Sequence, residues 1–287
     1  YVAAMNMGLE RLKELSLSLR LIREIHEVLL RGVRGGERTP GEFRRTQNWV
    51  GPANCTLFDA EYVPPPPHHM KEGLSNLEKF LHDRSALPVL IHCALAHAQF
   101  ETIHPFLDGN GRMGRLLITF LLCERHILNR PLLYLSYYLK AHRAEYYDRL
   151  MAIRNGGDWE GWVKFFLRGV YEVSQASTET ARAILHLRED HRQLITEKLS
   201  NSVNGLRLLD RLFEIPLITI RVASEYMGVS YVTASSVIQN MEEMGILKEI
   251  TGQKRNKVFR YEPYMKLFSN QAISLPRAED QMDTVSS

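Results

Sequence analysis

The run GRLLITFLLCERHIL, Gly114 to Leu128, is apolar almost all the way round a helical wheel and constrains the fold more than any other stretch. A helix without a polar face is stable in water only inside other elements, each turning an apolar stripe towards it. The flanking sequence supplies such stripes. Leu9, Leu12, Leu15, Leu19, Ile22, Ile25 and Leu29 recur at helical spacing from near Tyr1, and Gly32, Gly35 and Gly36 end that pattern as one helix. HMKEGLSNLEKFLHD and LPVLIHCALAHAQFETI, the latter entered through Pro88, read as two more. AHRAEYYDRLMAIRNGGDWEGWVKFFLRGVYEV gives a further pair, split at Gly156 and Gly157, and a polar helix around STETARAILHLREDHRQLITEKL follows. The predicted fold is mainly α.

Two regions depart from this pattern. RRTQNWVGPANCTLFDAEYVPPPP is rich in β-favouring residues, has turn residues at Gly51, Pro52 and Asn54, and predicts a short β-hairpin or extended flap ending in the polyproline run Pro64 to Pro67. From about Ser202 to Tyr264 the chain reads as helix, tight turn at Gly228 and Ser230, second helix, then two β-rich segments around the Gly252 to Asn256 turn. That order predicts a small winged helix-turn-helix domain. The polar residues from 265 to 287 are expected to be disordered.

Composition narrows the setting. No apolar run approaches the roughly 20 residues of a membrane span, and no secretory leader pattern opens the chain, so a cytoplasmic location with no membrane partner is expected. Cys55, Cys93 and Cys123 are odd in number and widely spaced, which fits reduced thiols in the packing better than disulfides or a zinc site. The net charge of +3 is too small to imply a polyanionic partner by itself.

The chemistry gathers in ETIHPFLDGNGRMGR, Glu101 to Arg115. Gly109, Gly111 and Gly114 match the spacing of a dinucleotide-binding loop, but that loop follows a strand, whereas Pro88 to Ile103 reads as helix. The partner segments of a protein kinase are absent, as is the glycine-lysine loop of P-loop enzymes. The residues still describe an anion site. Gly109 and Gly111 let the backbone approach a ligand, Asn110 tolerates a left-handed conformation, and the loop opens a helix whose N-terminal N–H groups are unpaired. Arg112 and Arg115 lie on one face of that helix start, where cations are disfavoured by roughly 0.3 to 1 kcal/mol unless an anion offsets them. Asp108 offers a hard oxygen to magnesium. His104 carries a side chain suited to taking a proton near neutral pH.

This arrangement resembles the Fic family, whose signature H-x-F-x-[DE]-G-N-G-R-x-x-R is matched by His104, Phe106, Asp108, Gly109, Asn110, Gly111, Arg112 and Arg115. The resemblance covers roughly residues 1–190, including FRRTQNWVG and EYYDRLMAIRNGGDW. It implies the Fic helical bundle over 1–190; beyond it the sequence pattern gives a linker helix at 191–201, the winged helix-turn-helix at 202–264 and the polar tail. It also implies a protein adenylyltransferase that moves AMP from ATP to a Ser, Thr or Tyr hydroxyl of a target protein, or of itself, with Mg2+ on the phosphates. On the matching positions, His104 would be the base and Asp108 the metal ligand. Gly109, Asn110, Gly111, Arg112, Met113, Gly114 and Arg115 would bind phosphate, and Tyr146, Tyr147 and Asn155 would line the nucleotide pocket. Val50, Gly51, Pro52 and Ala53 would form the flap that covers ATP and aligns the target as an added strand.

Plainer roles compete at several positions. Tyr146 and Tyr147 are adjacent on one helix and cannot both face one site, so at least one of them belongs to the core. His92 and His97 fit core or motif-supporting roles, Trp159, Trp162, Phe165 and Phe166 fit the core, and His68 and His69 a solvated loop. The inhibitory [ST]-x-x-x-E-[GN] helix of many Fic proteins is not found in the sequence, and the expectation is that it lies upstream of Tyr1, leaving this chain de-repressed. Three functions follow: AMP transfer, the same fold using another nucleotide or removing AMP, and a nucleotide-sensing regulator that binds DNA. The DNA reading rests on Tyr231, Thr233, Ser235, Ser236, Gln239 and Asn240 of the second helix and on Lys254, Arg255 and Lys257 of the wing. A target-docking or homodimer-forming module is the alternative for that unit.

Overall fold

A computed structural model describes the chain except residues 34, 53, 85–86, 129–134, 200–201, 254 and 275–287. It contains two compact units, Tyr1–Ser174 and Gln175–Ser287. No helix among the described residues is long and apolar enough to cross a membrane.

The first unit is built around α5 (Asn110–Glu124), the helix with apolar residues on every side. Met113, Leu116, Leu117, Ile118, Phe120, Leu121 and Leu122 are all buried on it. Around it lie α1 (Val2–Arg11), α2 (Leu19–Leu29), α3 (Pro67–His82) and α4 (Val89–Ile103), then α6 (Leu135–Ala141), α7 (Arg143–Gly156) and the start of α8 (Trp159–Lys198). Gly8 lets α1 approach closely, because a Cβ there would strike the Phe120 ring. Trp162, Phe165 and Phe166 are buried as expected. Trp159 instead stands part-exposed at the first residue of α8, beside an apolar cavity it shares with Leu77, Phe80 and Leu95. His68 and His69 are exposed, but on the first turn of α3 rather than in a loop. All three cysteines are free.

The opening apolar pattern forms two helices, not one. Ser18 caps α2 by accepting the Leu21 N–H at 3.3 Å. The amides of Leu17 and Leu19 at the break donate to the carboxylates of Glu124 and Glu78, each at 2.8 Å. Apolar periodicity runs on through the break because the same face stays buried, so the pattern alone cannot reveal it. Among the described residues the expected flap hairpin shrinks to one bridge, Val50 with Tyr62, and a short 3₁₀ turn over Leu57–Asp59. Gly51, Pro52 and Pro64 flank that pair, and proline donates nothing to a ladder.

The second unit contains α9 (Ser202–Glu214), β1 (Leu217–Thr219), α10 (Ile220–Met227), α11 (Tyr231–Glu243), β2 (Leu247–Glu249), β3 (Val258–Tyr261) and α12 (Glu262–Ser274). Gly228, with φ of 67°, ends α10, and Ser230 caps α11 by accepting the Thr233 N–H at 3.2 Å. The strands form an antiparallel sheet in the order β1-β3-β2, with Ile218 opposite Phe259 and Lys248 opposite Arg260. Helix α12 runs as far as Ser274 through the start of the segment expected to be a disordered tail. The Phe213, Tyr261, Tyr264 and Phe268 rings pack edge to face or stacked there, which supplies the burial that polar composition hides.

Candidate active site

Helices α4 and α5 pack side by side, and the six residues joining them, His104 to Gly109, carry the motif. Two of those residues have left-handed backbone. His104 caps α4 with φ 48°, and Gly109 opens α5 with φ 81°. A histidine at positive φ is uncommon, and such conformations persist where the surroundings enforce them.

The loop is held from inside by Asn110, which is buried. Its Oδ1 accepts the Phe106 N–H at 2.9 Å and its Nδ2 donates to the Phe106 carbonyl at 2.8 Å. Asn48 donates to that same carbonyl at 2.9 Å. The Phe106 ring is fully buried and stacks on His26 at 3.6 Å. His26 Nδ1 accepts the Gly41 N–H at 2.9 Å, so Nε2 bears the proton and donates to the Asp108 carbonyl at 2.9 Å. Burial lowers the His26 pKa and keeps this arrangement neutral. His26 and Asn48 support the loop and were not singled out in the sequence. The available signal for His26 was a histidine on the same apolar stripe as Ile22, Ile25 and Leu29.

A second network backs the start of α5. His97 Nδ1 donates to the Gly114 carbonyl at 2.9 Å, which leaves Nε2 to accept the Tyr146 hydroxyl at 3.0 Å. Burial drives the His97 pKa down to about 4, and nearby Arg115 pushes the same way. One turn on, buried Glu101 lies so close to Gly114 that a Cβ at Gly114 would strike its Oε1. That oxygen has no hydrogen-bond partner among the described residues, and burial raises the Glu101 carboxyl to about 7. His97 is thus a support for the motif. His92 stacks on Phe80 in the packing instead.

Burial pushes the His104 imidazole down to about 4, opposed by a hydrogen bond to the Glu101 carbonyl and aided by the charges of Arg154 and Arg44. It is therefore neutral at pH 7 and able to accept a proton. Asp108 Oδ1 accepts the Gly109 N–H at 2.5 Å and pairs with Arg112 at 3.3 Å. Its Oδ2 lies against Gly35, where a Cβ would collide with it. No group of three or more His, Cys, Asp or Glu side chains among the described residues could hold a metal. A single carboxylate fits Mg2+ that takes its remaining ligands from phosphates and water, and does not fit a protein-caged ion.

Arg112, Arg115, Tyr146 and Tyr147 line one cavity of about 440 Å³, together with Lys140 and Arg143. Both tyrosines reach this cavity, against the expectation that adjacent helical residues cannot face one site, but they do so to different depths. Tyr146 is 5% exposed and belongs to the core, while Tyr147 is 43% exposed at the cavity. Met113 is buried behind the helix start, and Gly111 lies against the Arg115 guanidinium. Asn155 is exposed in the last turn of α7, about 12 Å along the axis from Tyr147. Its neighbour Arg154 reaches the α4 end instead, donating to the Glu101 carbonyl at 3.1 Å and lying 3.5 Å over the Tyr62 ring. In the flap, Val50 is bridged to Tyr62 while Gly51 and Pro52 are exposed; Ala53 lies outside the described residues.

Comparison with known proteins places these features. The chain is 32% identical over 117 residues to a probable protein adenylyltransferase of Aquifex aeolicus, covering 41% of this chain and 33% of that relative. It is 36% identical over 152 residues to the protein adenylyltransferase Fic of Aedes aegypti, covering 52% and 27%. The chain thus spans a third or less of the length of these relatives. The structure of a Fic family protein from Desulfovibrio desulfuricans has a similar fold, with a TM-score of 0.55, 20% identity and coverage of 91% of this chain and 74% of that one. Residues 16–122, from the break before α2 to the end of the apolar run on α5, match the Fic/DOC family.

Proposed function

We propose that this chain is a protein adenylyltransferase that uses ATP. The acceptor hydroxyl oxygen of a target protein attacks the α-phosphorus while His104 Nε2 or Nδ1 takes its proton. A bond forms between that oxygen and the α-phosphorus, the bond from the α-phosphorus to the bridging oxygen of the β-phosphate breaks, and pyrophosphate leaves. The N–H groups of Asn110 and Gly111 face the charge that develops, that of Gly109 being held by Asp108 Oδ1, and Arg112 and Arg115 grip the outer phosphates. Asp108 would hold Mg2+, which supplies charge neutralisation on those phosphates when bound. Tyr147 and the ring edge of Tyr146 flank the nucleotide, Asn155 is a more distant contact, and the flap from Val50 to Ala53 receives the target.

The observation that carries this reading is the neutral imidazole of His104, held at a left-handed turn just before a helix whose two arginines line a cavity. An enzyme that removes AMP, or uses another nucleotide, would share these groups, so the donor is tested directly. With α-labelled ATP, Mg2+ and a cell extract, the chain should label protein, and His104→Ala should reduce labelling by at least about 100-fold. Unchanged labelling in that variant would sink the reading.

For the second unit we infer a winged helix-turn-helix module, from its element order and the capped turn at Gly228 to Ser230. Helix α11 has no Lys or Arg and exposes Tyr231 and Val232, which favours protein over DNA as its partner. Of the wing cations, Arg255 and Lys257 are exposed, and Lys254 lies outside the described residues. Duplex DNA binding that weakens steeply with salt would reverse this preference.

A further inference from the structure

Arg44 is 1% exposed, and a guanidinium taken out of water is costly unless its donors are paired. Its partners are backbone carbonyls from two parts of the chain. Nε donates to the His104 carbonyl at 3.0 Å and Nη2 to the Ile103 carbonyl at 3.4 Å. Nη1 donates to the Thr46 carbonyl at 3.2 Å, and Nη2 also to the Pro65 carbonyl. The Arg44 amide adds a bond to the Pro105 carbonyl at 2.9 Å.

These carbonyls are not scattered. Ile103 and His104 end α4, where the last carbonyls lack helical partners and a cation meets the negative end of the dipole. Thr46 and Pro65 bracket the flap, outside the bridge between Val50 and Tyr62. We propose that Arg44 is a positioning residue that locks the left-handed backbone of His104 to both ends of the flap, so that the base and the target-facing segment are presented in one fixed arrangement. The proposal rests on His104 being the base of the transfer.

Only a planar fork suits this role, because three different guanidinium nitrogens each donate to a carbonyl. A lysine ammonium donates from a single point and cannot span them. The charge also has a local use, since it opposes protonation of the imidazole. A reacting group displaced by about 1 Å costs about 100-fold in rate, and loss of the lock frees both the imidazole and the flap.

Arg44 variants of the full chain test this, with His104→Ala run in parallel. Arg44→Met should lower kcat for labelling about 100-fold while KM for ATP moves less than about threefold. Arg44→Lys, which keeps the charge but not the fork, should fall between, at about tenfold. Hydrogen exchange of the Val50 and Tyr62 amides should quicken in both. A folded Arg44→Met with wild-type kcat overturns the proposal, as does a loss in both variants that only follows the folded fraction seen by circular dichroism. If Arg44→Met does not fold, Arg44→Lys decides by the same split between kcat and KM. Full labelling by His104→Ala removes the base and this proposal with it. Loss in His104→Ala beside wild-type kcat in the Arg44 variants removes this proposal alone.

Discussion

The motif loop and the flap are joined through Arg44, Asn48 and Tyr62 and are built in opposite ways. Between His104 and Asn110, side chains from α2, α5 and the segment around Arg44 and Asn48 meet the backbone at His104, Phe106 and Asp108. Between Trp49 and Tyr62 the described residues show one β-bridge, a 3₁₀ turn, a few local hydrogen bonds such as Trp49 Nε1 to the Cys55 carbonyl, and a Phe58 side chain that is 96% exposed. The difference separates two tasks. Groups that handle a proton and phosphates need positions good to a fraction of an ångström, which buried hydrogen bonds can enforce. A segment that meets a protein partner gains from low local stability and from apolar surface left open to contact.

Breaking the loop from inside should have the largest effect. Asn110→Ala removes both bonds to Phe106 and leaves a buried N–H unpaired, and should lower unfolding free energy by about 2–4 kcal/mol in urea melts. If its cost is under about 0.5 kcal/mol, the loop is not held from within and the contrast with the flap fails.

An intermediate effect concerns the charges behind the loop. His97 has a folded pKa of about 4, below its unfolded value, so its neutral form favours folding and stability falls as pH drops from 6.5 towards 4. Glu101 acts in the opposite sense. Its folded pKa of about 7 lies above the unfolded value, so stability is full below about 4.5 and is lost as pH rises to about 7. Glu101→Gln should therefore steepen the rise of stability with pH between 4.5 and 6.5, by up to about 1.4 kcal/mol per pH unit. Parallel pH series of the two proteins check this, and superimposable curves would show that Glu101 does not hold its proton in the fold.

The smallest effect on stability belongs to the flap. Phe58→Ala should change unfolding free energy by less than about 0.5 kcal/mol, because the ring is already in water. If the flap receives the target, that variant should still slow labelling of other proteins several-fold while KM for ATP is unchanged. A larger loss of stability would mean that the flap is held by contacts that its exposure does not reveal.

Much of this was legible in the linear chain. The apolar helix from Asn110, the glycine turns at Gly157 and Gly228 and the whole chemical motif are local patterns, set by helical periodicity and by backbone angles that few residues adopt. The break between α1 and α2 was not legible, because a buried face carries its period through a turn. Nor was the start of α12, where four rings outweigh a polar composition.

The sequence by itself determined which groups can do chemistry here: a histidine, an aspartate, two arginines and the glycines that let backbone N–H groups meet an anion. Tertiary structure alone decided which of them are fixed and how. It set Tyr146 on His97 and left Tyr147 at the cavity, neutralised His104 by desolvation, and brought His26, Arg44 and Asn48 from 56 or more positions away onto the loop. The reason is physical. Residue type and spacing are properties of neighbours along the chain, whereas a pKa shift or a satisfied carbonyl depends on what packing places alongside, however distant in sequence.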